Sequence, residues 1–431
     1  MFSSNDPLAI SLTIAVAFML CAIVSAMRLP SGVKVIVSLA VALRFAGAYA
    51  RQLMAADAIV YFRWGETYAY YFSRLDFSPL ISPDLWRSQS WYGTNFMGYI
   101  AGLVMTFVGS SWLGTFFAFG LISFLGLVAY AIAYRRSFPG APYKAYWAWI
   151  FLLPSLWFWP SSIGKESVMM VGLGVATLGF AGKHGRSNWA VVLAGLALTF
   201  CIRPQVVVVF LFAAVLSAWL QFEAWSSKKV LQAVALFVFG CAGMWFALST
   251  TLDGEVDAET VEKYIDSNAA RNNNGGSSVE GVGIGPSSIV LAPVNVLFRP
   301  FVWEAHNLSS LASAIELLFI WGLIFVRRRE VIAAVRMWRQ HRMLRFAVPF
   351  VTFYVVGLGM NLSNLGLLAR QRVLVFPLLF MIVEAGSYVR QRSKLARVRT
   401  LRHRPQLYPW QPNHPLPLKG VLARPMHPPH A

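Results

Sequence analysis

Asp57-Ala58-Ile59-Val60-Tyr61-Phe62-Arg63-Trp64-Gly65-Glu66 opens a polar, aromatic stretch that closes with Trp91-Tyr92-Gly93-Thr94-Asn95. Two strongly apolar segments precede it, residues 8–27 and 35–54. Each has about the 20 residues that a hydrocarbon core of ~30 Å requires of a helix. Asp57 follows the second segment closely and so falls at the water–lipid boundary. The rings around it suit that boundary, because each combines an apolar body with a polar edge. Tyr61, Trp64, Tyr68 and Tyr71 recur at helical steps, so the first part of the stretch, residues 59–75, reads as a helix lying on the membrane surface. Ser78-Pro79 and Ser82-Pro83 punctuate its end.

The rest of the chain has the same character. Of 431 residues, 57% are hydrophobic and only 13% are charged, and the mean hydropathy is +0.57. So little charge does not cover a soluble protein of this length. The expected fold is an all-α polytopic membrane protein, since the alternating ten-residue segments of a β-barrel are missing. The formal net charge of +19 is distributed over short loops and the C-terminus. That pattern follows the positive-inside rule and argues against nucleic acid as a partner. Cys21, Cys201 and Cys241 all lie in apolar segments and read as packing residues, with neither disulfide nor metal spacing. The first segment has no basic residues ahead of it and no small-residue cleavage site, so it reads as a retained span.

Taken in order, residues 8–27, 35–54, 113–134, 146–159, 168–181, 189–202, 206–222, 230–249, 308–326, 346–360 and 373–389 read as about 11 transmembrane helices. Residues 96–108 are apolar but short. Reading them as re-entrant or interfacial keeps Arg28, Lys34, Arg135, Arg136 and Lys144 on the cytoplasmic side. The expected organisation is therefore one helical domain, 1–389, with outer loops at 55–95 and 252–306. A basic, Pro/His-rich, disordered cytoplasmic tail at 390–431 follows it. The N-terminus is expected outside. Residues 327–345 carry seven arginines and one glutamate, a surface suited to anionic lipids.

On this topology several charged groups converge on the outer face. They are Asp57 and Glu66, Lys165 and Glu166, Arg203, Arg370 and Arg372, with Arg299 and Glu304 in the second outer loop. Charges at the ends of spans are costly unless paired or wetted, so such a set implies an aqueous chamber. Arginine's planar fork matches phosphate. Each group also has a structural explanation. Asp57 can cap the surface helix, and Lys165-Glu166 can be an ordinary turn. Arg203 can satisfy carbonyls freed by Pro204, and Arg370 and Arg372 can be interfacial anchors. Arg44, near the middle of the second span, can pair structurally or line a pathway. The chain has no Walker loop, dinucleotide fingerprint, His-Glu-x-x-His pair or nucleophile elbow.

An apolar span, an acid immediately beyond it and a long aromatic loop with surface helices together resemble the GT-C class of membrane glycosyltransferases. Three further stretches are similar to features of multi-spanning proteins of bacterial polysaccharide clusters. These are Pro154-Ser155-Leu156-Trp157-Phe158-Trp159-Pro160-Ser161-Ser162-Ile163-Gly164-Lys165-Glu166, Ile202-Arg203-Pro204-Gln205, and Asn364-Leu365-Gly366-Leu367-Leu368-Ala369-Arg370-Gln371-Arg372. The resemblance implies a GT-C-like fold in the bacterial cytoplasmic (inner) membrane. The donor would be a polyprenyl-phosphate-linked sugar and the acceptor a glycan or lipid. By resemblance, Asp57 takes the place of the general base. Glu166 stands near a second acid, usually Asp, which raises the question of a divalent metal. Lys165, Arg203, Arg299, Arg370, Arg372 and Glu66 would bind phosphate or sugar. Two other classes fit the same outline. One is a polymerase or ligase of lipid-linked glycans. The other is a transporter or flippase centred on Arg44.

Overall fold

Proline and glycine cut the apolar runs of this chain into helices of unequal length, and the helix ends determine where its charges meet. The computed structural model describes residues 7–220 apart from 55, 89, 184 and 185, positions 231, 234 and 238, and residues 286–402 apart from 306, 362 and 363. Among the described residues there is no strand. The helices are α1 (Pro7–Ala26), α2 (Ser31–Gln52), α3 (Ala56–Phe72), α4 (Thr94–Val108), α5 (Trp112–Ser137), α6 (Lys144–Leu152), α7 (Pro154–Phe158), α8 (Lys165–Ala181), α9 (Trp189–Phe200) and α10 (Pro204–Trp219). They continue with α11 (Pro286–Phe298), α12 (Leu308–Val326), α13 (Arg328–Arg336), α14 (Arg342–Asn361), α15 (Leu365–Arg372) and α16 (Phe376–Arg402).

Five of the described helices are long and apolar enough to cross a membrane, namely α1, α2, α5, α12 and α14. A sixth span results if α15 and the start of α16, bent by 55°, are counted as one. The described residues therefore do not support the expected count of about eleven. Apolar composition overstated it, because length along the axis also decides. At ~1.5 Å per residue, the 12 residues of α9 rise about 18 Å, well short of ~30 Å. The expected span at 146–159 is split by Pro154 into α6 and α7, since proline cannot continue the hydrogen-bond ladder. The span expected at 230–249 lies outside the described residues.

Two further boundaries differ. The second outer loop contains α11, built from the apolar run Ile289 to Phe298. At the other end, α16 continues through Arg390 to Arg402, so the first residues of the expected disordered tail are helical. Residues 403–431 lie outside the described set.

Helices cross closely where side chains vanish. A Cβ on Gly126 of α5 would stand 2.4 Å from the Met170 carbonyl oxygen of α8, and one on Gly174 would stand 2.3 Å from the Gly126 carbonyl oxygen. These two glycines bring the α5 and α8 backbones into contact, the small-residue packing common in membrane bundles.

The helix ends sort into two groups. Basic residues gather at one end. Arg342 at the start of α14 donates to the Phe180 carbonyl near the end of α8, and Arg327 pairs with Glu384 of α16. Phe138, just after α5, packs on His341 and Tyr388. At the opposite end the start of α4 meets the start of α8, where Lys165 Nζ donates to Thr94 Oγ1 at 3.3 Å. Gly93 N–H also donates to the Cys201 carbonyl at 2.7 Å, in the α9–α10 turn.

The amphipathic helix α3 and the 15-residue α4 pair antiparallel over this second end. Fully buried Asn95 stitches them to the loop between. Its Oδ1 accepts from the Tyr68 hydroxyl at 2.6 Å and from Arg87 N–H at 3.1 Å. Its Nδ2 donates to the Tyr99 hydroxyl at 2.6 Å, which in turn donates to the Pro79 carbonyl at 2.7 Å. A satisfied buried network of this kind fixes one arrangement of the loop.

Candidate functional site

Asp57 sits in the first turn of α3, and its accessible side chain points back over the bundle end. Glu166 sits in the first turn of α8 and is buried. Arg370, near the end of α15, joins the two. Its Nη1 lies 2.7 Å from Asp57 Oδ2, and its Nε lies 2.6 Å from Glu166 Oε2. Arg203, which precedes α10, reaches the other oxygen of Glu166 at 3.3 Å. Four charged residues from four separate segments thus form one ion network. Lys165 stands at its edge, held to α4 through Thr94.

The two carboxylates differ in access. The Asp57 side chain is 58% exposed, and that of Glu166 is 1% exposed. Both oxygens of Glu166 are engaged by guanidiniums. Burial alone would raise the Glu166 carboxyl, but Arg370 and Arg203 outweigh burial and hold it below its usual range. Glu166 is therefore a fixed anion that orients two arginines, while Asp57 faces the opening.

The Lys165 ammonium is lowered to about 8 by the sum of its surroundings, of which burial is the largest. Arg203 acts in the same direction as burial, Glu166 opposes it, and the smaller effects of Arg370 and Asp57 are of opposite sign. Tyr61 lies one turn beyond Asp57 on the same face of α3. Its hydroxyl is pushed up to about 12, first by burial and then by the carboxylates of Asp57 and Glu166. It stays protonated at neutral pH and can donate into the site. The Tyr354 hydroxyl donates to the Gln371 carbonyl at 3.2 Å and so braces α15 beside Arg370.

Sequence reasoning did not single out Arg51. It is buried in the last turn of α2, with its guanidinium 4.9 Å from the Trp159 ring centroid and 5.4 Å from that of Phe158. It is close enough to feel the charges of Arg370, Glu166 and Asp57. Its signal was available: an arginine six places before Asp57, at a span end where the charge rule disfavours it. With Arg51 included, four cations face two carboxylates. The site carries an excess of positive charge and is suited to an anion.

Comparison with protein-family models, with curated proteins and with solved structures finds no match.

Three expected members lie elsewhere. Glu66 is exposed, and nine residues along α3 from Asp57 place it about 180° round the helix and ~13 Å away. Arg372 is buried and turned away from the network. Its Nη1 donates to the carbonyls of Arg299 at 2.6 Å and Val296 at 3.4 Å, satisfying the C-terminal end of α11. Arg299 forms an ion pair with Glu304 within its own loop, with Nε 3.1 Å from Oε2. Arg44 is buried as well. Its Nη1 donates to the Leu156 carbonyl of α7 at 2.6 Å and lies 3.2 Å from Ser123 Oγ, so it serves to hold the broken span.

Among the described residues no three His, Cys, Asp or Glu side chains group together. The network itself does not fit a divalent ion. The oxygens of Glu166 and one of Asp57 already face guanidinium groups, and Arg370 lies between the two acids. A metal there would meet like charge.

A cavity of about 160 Å³ adjoins the network. Ala369, next to Arg370, and Trp159, on which Arg51 stacks, line one side of it. Glu304, Asn307, Ser310 and Ser313 supply polar groups on the other. A ring face beside hydroxyl, amide and carboxylate groups suits a hydroxyl-rich ligand.

Proposed function

We propose that this chain is a membrane glycosyltransferase. It transfers a sugar from a polyprenyl-phosphate donor to a glycan or lipid-linked acceptor, in cell-surface polysaccharide biosynthesis at the bacterial cytoplasmic membrane. The site would open on the outer face. The observation that carries the reading is the pairing of an accessible carboxylate, Asp57, with Arg370 at 2.7 Å inside a network of excess positive charge.

The roles follow from access and charge. The acceptor hydroxyl attacks the anomeric carbon and passes its proton to Asp57. The new C–O bond forms as the bond from that carbon to the phosphate oxygen breaks, and the lipid phosphate leaves with the electron pair. Its negative charge grows in the transition state, where Arg370, Arg203, Arg51 and Lys165 act on it. Preorganised charges in a partly dry site are worth far more than the same charges in water. Glu166 touches no substrate in this scheme; it positions Arg203 and Arg370. The adjoining cavity supports the reading as room for the acceptor. No metal is used.

The charge excess of two also suits a diphosphate, which favours a polymerase or ligase of lipid-linked glycans as the second reading. The experiment is a panel of lipid-linked sugars carrying one phosphate or two, offered to the purified protein in liposomes with product analysis. The proposal expects turnover of the monophosphate series. Turnover confined to diphosphate donors favours the second reading, and no new glycosidic bond with any donor contradicts both.

Lys165 supplies a pH signature. Its ammonium loses its proton as the pH rises through about 8. The KM for the donor is therefore expected to rise several-fold between pH 7 and 9. In Lys165→Met that step should vanish, and the KM should be high throughout. An unchanged pH profile in the variant would remove Lys165 from donor binding.

A further inference from the structure

A second cavity, also of about 160 Å³, opens at the basic end of the bundle, far from the ion network. Its walls come from α9, α10 and α14. Leu211 and Val215 give it an apolar side, and Ser187, Ser217 and Arg342 give it a polar side. Trp189 stands at its mouth and is 52% exposed. Among the described residues that line it, none is acidic.

The polar side is organised around guanidinium groups. Arg342 donates through Nη2 to the Phe180 carbonyl and to Ser187 Oγ, and its guanidinium lies 4.5 Å from the Phe180 ring centroid. Those contacts fix its plane. Ser217 Oγ donates to the Arg342 carbonyl at 3.0 Å, and Arg345 Nε donates to the Ser217 carbonyl at 3.0 Å. Arg345 is buried, and its Nη1 is held by the Arg339 carbonyl. Lys183 and Arg186 are exposed just outside, in the turn between α8 and α9. An oriented cation, hydroxyls, an apolar wall between short helices and an interfacial indole are the features that recognise a lipid with a charged head.

We propose that this cavity binds one anionic phospholipid from the leaflet facing the basic end. The head phosphate lies against Arg342 and Ser187, and an acyl chain lies along Leu211 and Val215. The short α9 and α10, which do not match the bilayer thickness, leave the room that the lipid fills. The occupant is a lipid and not free phosphate, because six of the nine lining residues are apolar. This inference does not depend on the sugar-transfer reading.

The test is native mass spectrometry of the full chain in detergent, titrated with phosphatidylglycerol or phosphatidylcholine of the same chain length. One phosphatidylglycerol is expected to bind about tenfold more tightly than phosphatidylcholine, the scale of a charge-assisted hydrogen bond. Arg342→Gln should remove that preference. Because Arg342 also holds Phe180 and Ser187, a second variant, Ala218→Trp, fills the mouth from an exposed position without touching those bonds. It should abolish retention of the single lipid while leaving thermal unfolding unchanged. Equal binding of the two lipids, or retention of the preference in either variant, overturns the proposal. Displacement of the lipid by glycerol phosphate at equal concentration also overturns it, since the chains would then contribute nothing.

Discussion

Glu166→Ala is expected to cost about 3–5 kcal/mol of stability, the price of leaving partly buried cations without their counter-charge. The Glu166 side chain is 1% exposed, and those of Arg203 and Arg370 are 15% and 12% exposed. Neither guanidinium can turn fully to water without moving α10 or α15. Glu166→Gln keeps the shape and one acceptor oxygen but loses the charge, and should fall between the variant and the wild type. The folded-state carboxyl lies below its usual value of 4.5, so its contribution is present above that pH and is lost as the pH falls through the lower, folded value. Thermal unfolding in detergent at pH 7 and at pH 3.5 checks both statements. A wide gap between wild type and Glu166→Ala at pH 7 should narrow at pH 3.5. Equal melting temperatures at pH 7 would mean that the arginines are held by something else.

Arg370→Gln is expected to lower the rate of the proposed sugar transfer about 10²–10³-fold, the usual effect of removing one preorganised donor to a developing anion. Among the described residues Arg370 alone touches both carboxylates, so its loss also releases Asp57 from its 2.7 Å contact and leaves Glu166 with Arg203. Arg370→Lys keeps the charge but cannot span two carboxylates with a planar fork, and should recover only part of the rate. The loss should appear mainly in kcat, because the charge it meets is largest in the transition state. A change confined to KM would make Arg370 a ground-state binding residue.

The class of this molecule was legible from composition, and so was much of the network. Asp57, Lys165, Glu166, Arg203 and Arg370 come from segments far apart in the chain, yet all stand at or near helix ends at one end of the bundle. Such charges are costly in lipid and must share water or each other, which is why topology alone could group them. The failures have equally plain causes. Arg370 and Arg372 were grouped by proximity in sequence, but two residues along a helix turn through about 200°, so they cannot face one chamber. Asp57 and Glu66 fail for the same reason. Breaks such as Pro154, and short helices such as α9, were hidden because an apolar run does not disclose where its helix ends. The apolar stretch of α11 sat inside a segment judged by its polar residues, and its packing on α14, where Gly359 meets Ala292, is a tertiary fact.

In the proposed reaction Asp57 takes the proton from the acceptor hydroxyl. The measurement that tests it most directly is the single-turnover rate of Asp57→Asn in liposomes, with saturating donor and with folding checked by unchanged thermal unfolding. The substitution keeps the size and one acceptor oxygen of the side chain and removes its charge and basicity, so donor binding is measured beside the rate to separate the loss of the base from the loss of the Arg370 pair. The expected rate is lower by about 10²–10⁴-fold with donor binding retained. A folded Asp57→Asn protein that transfers sugar at the wild-type rate would contradict it.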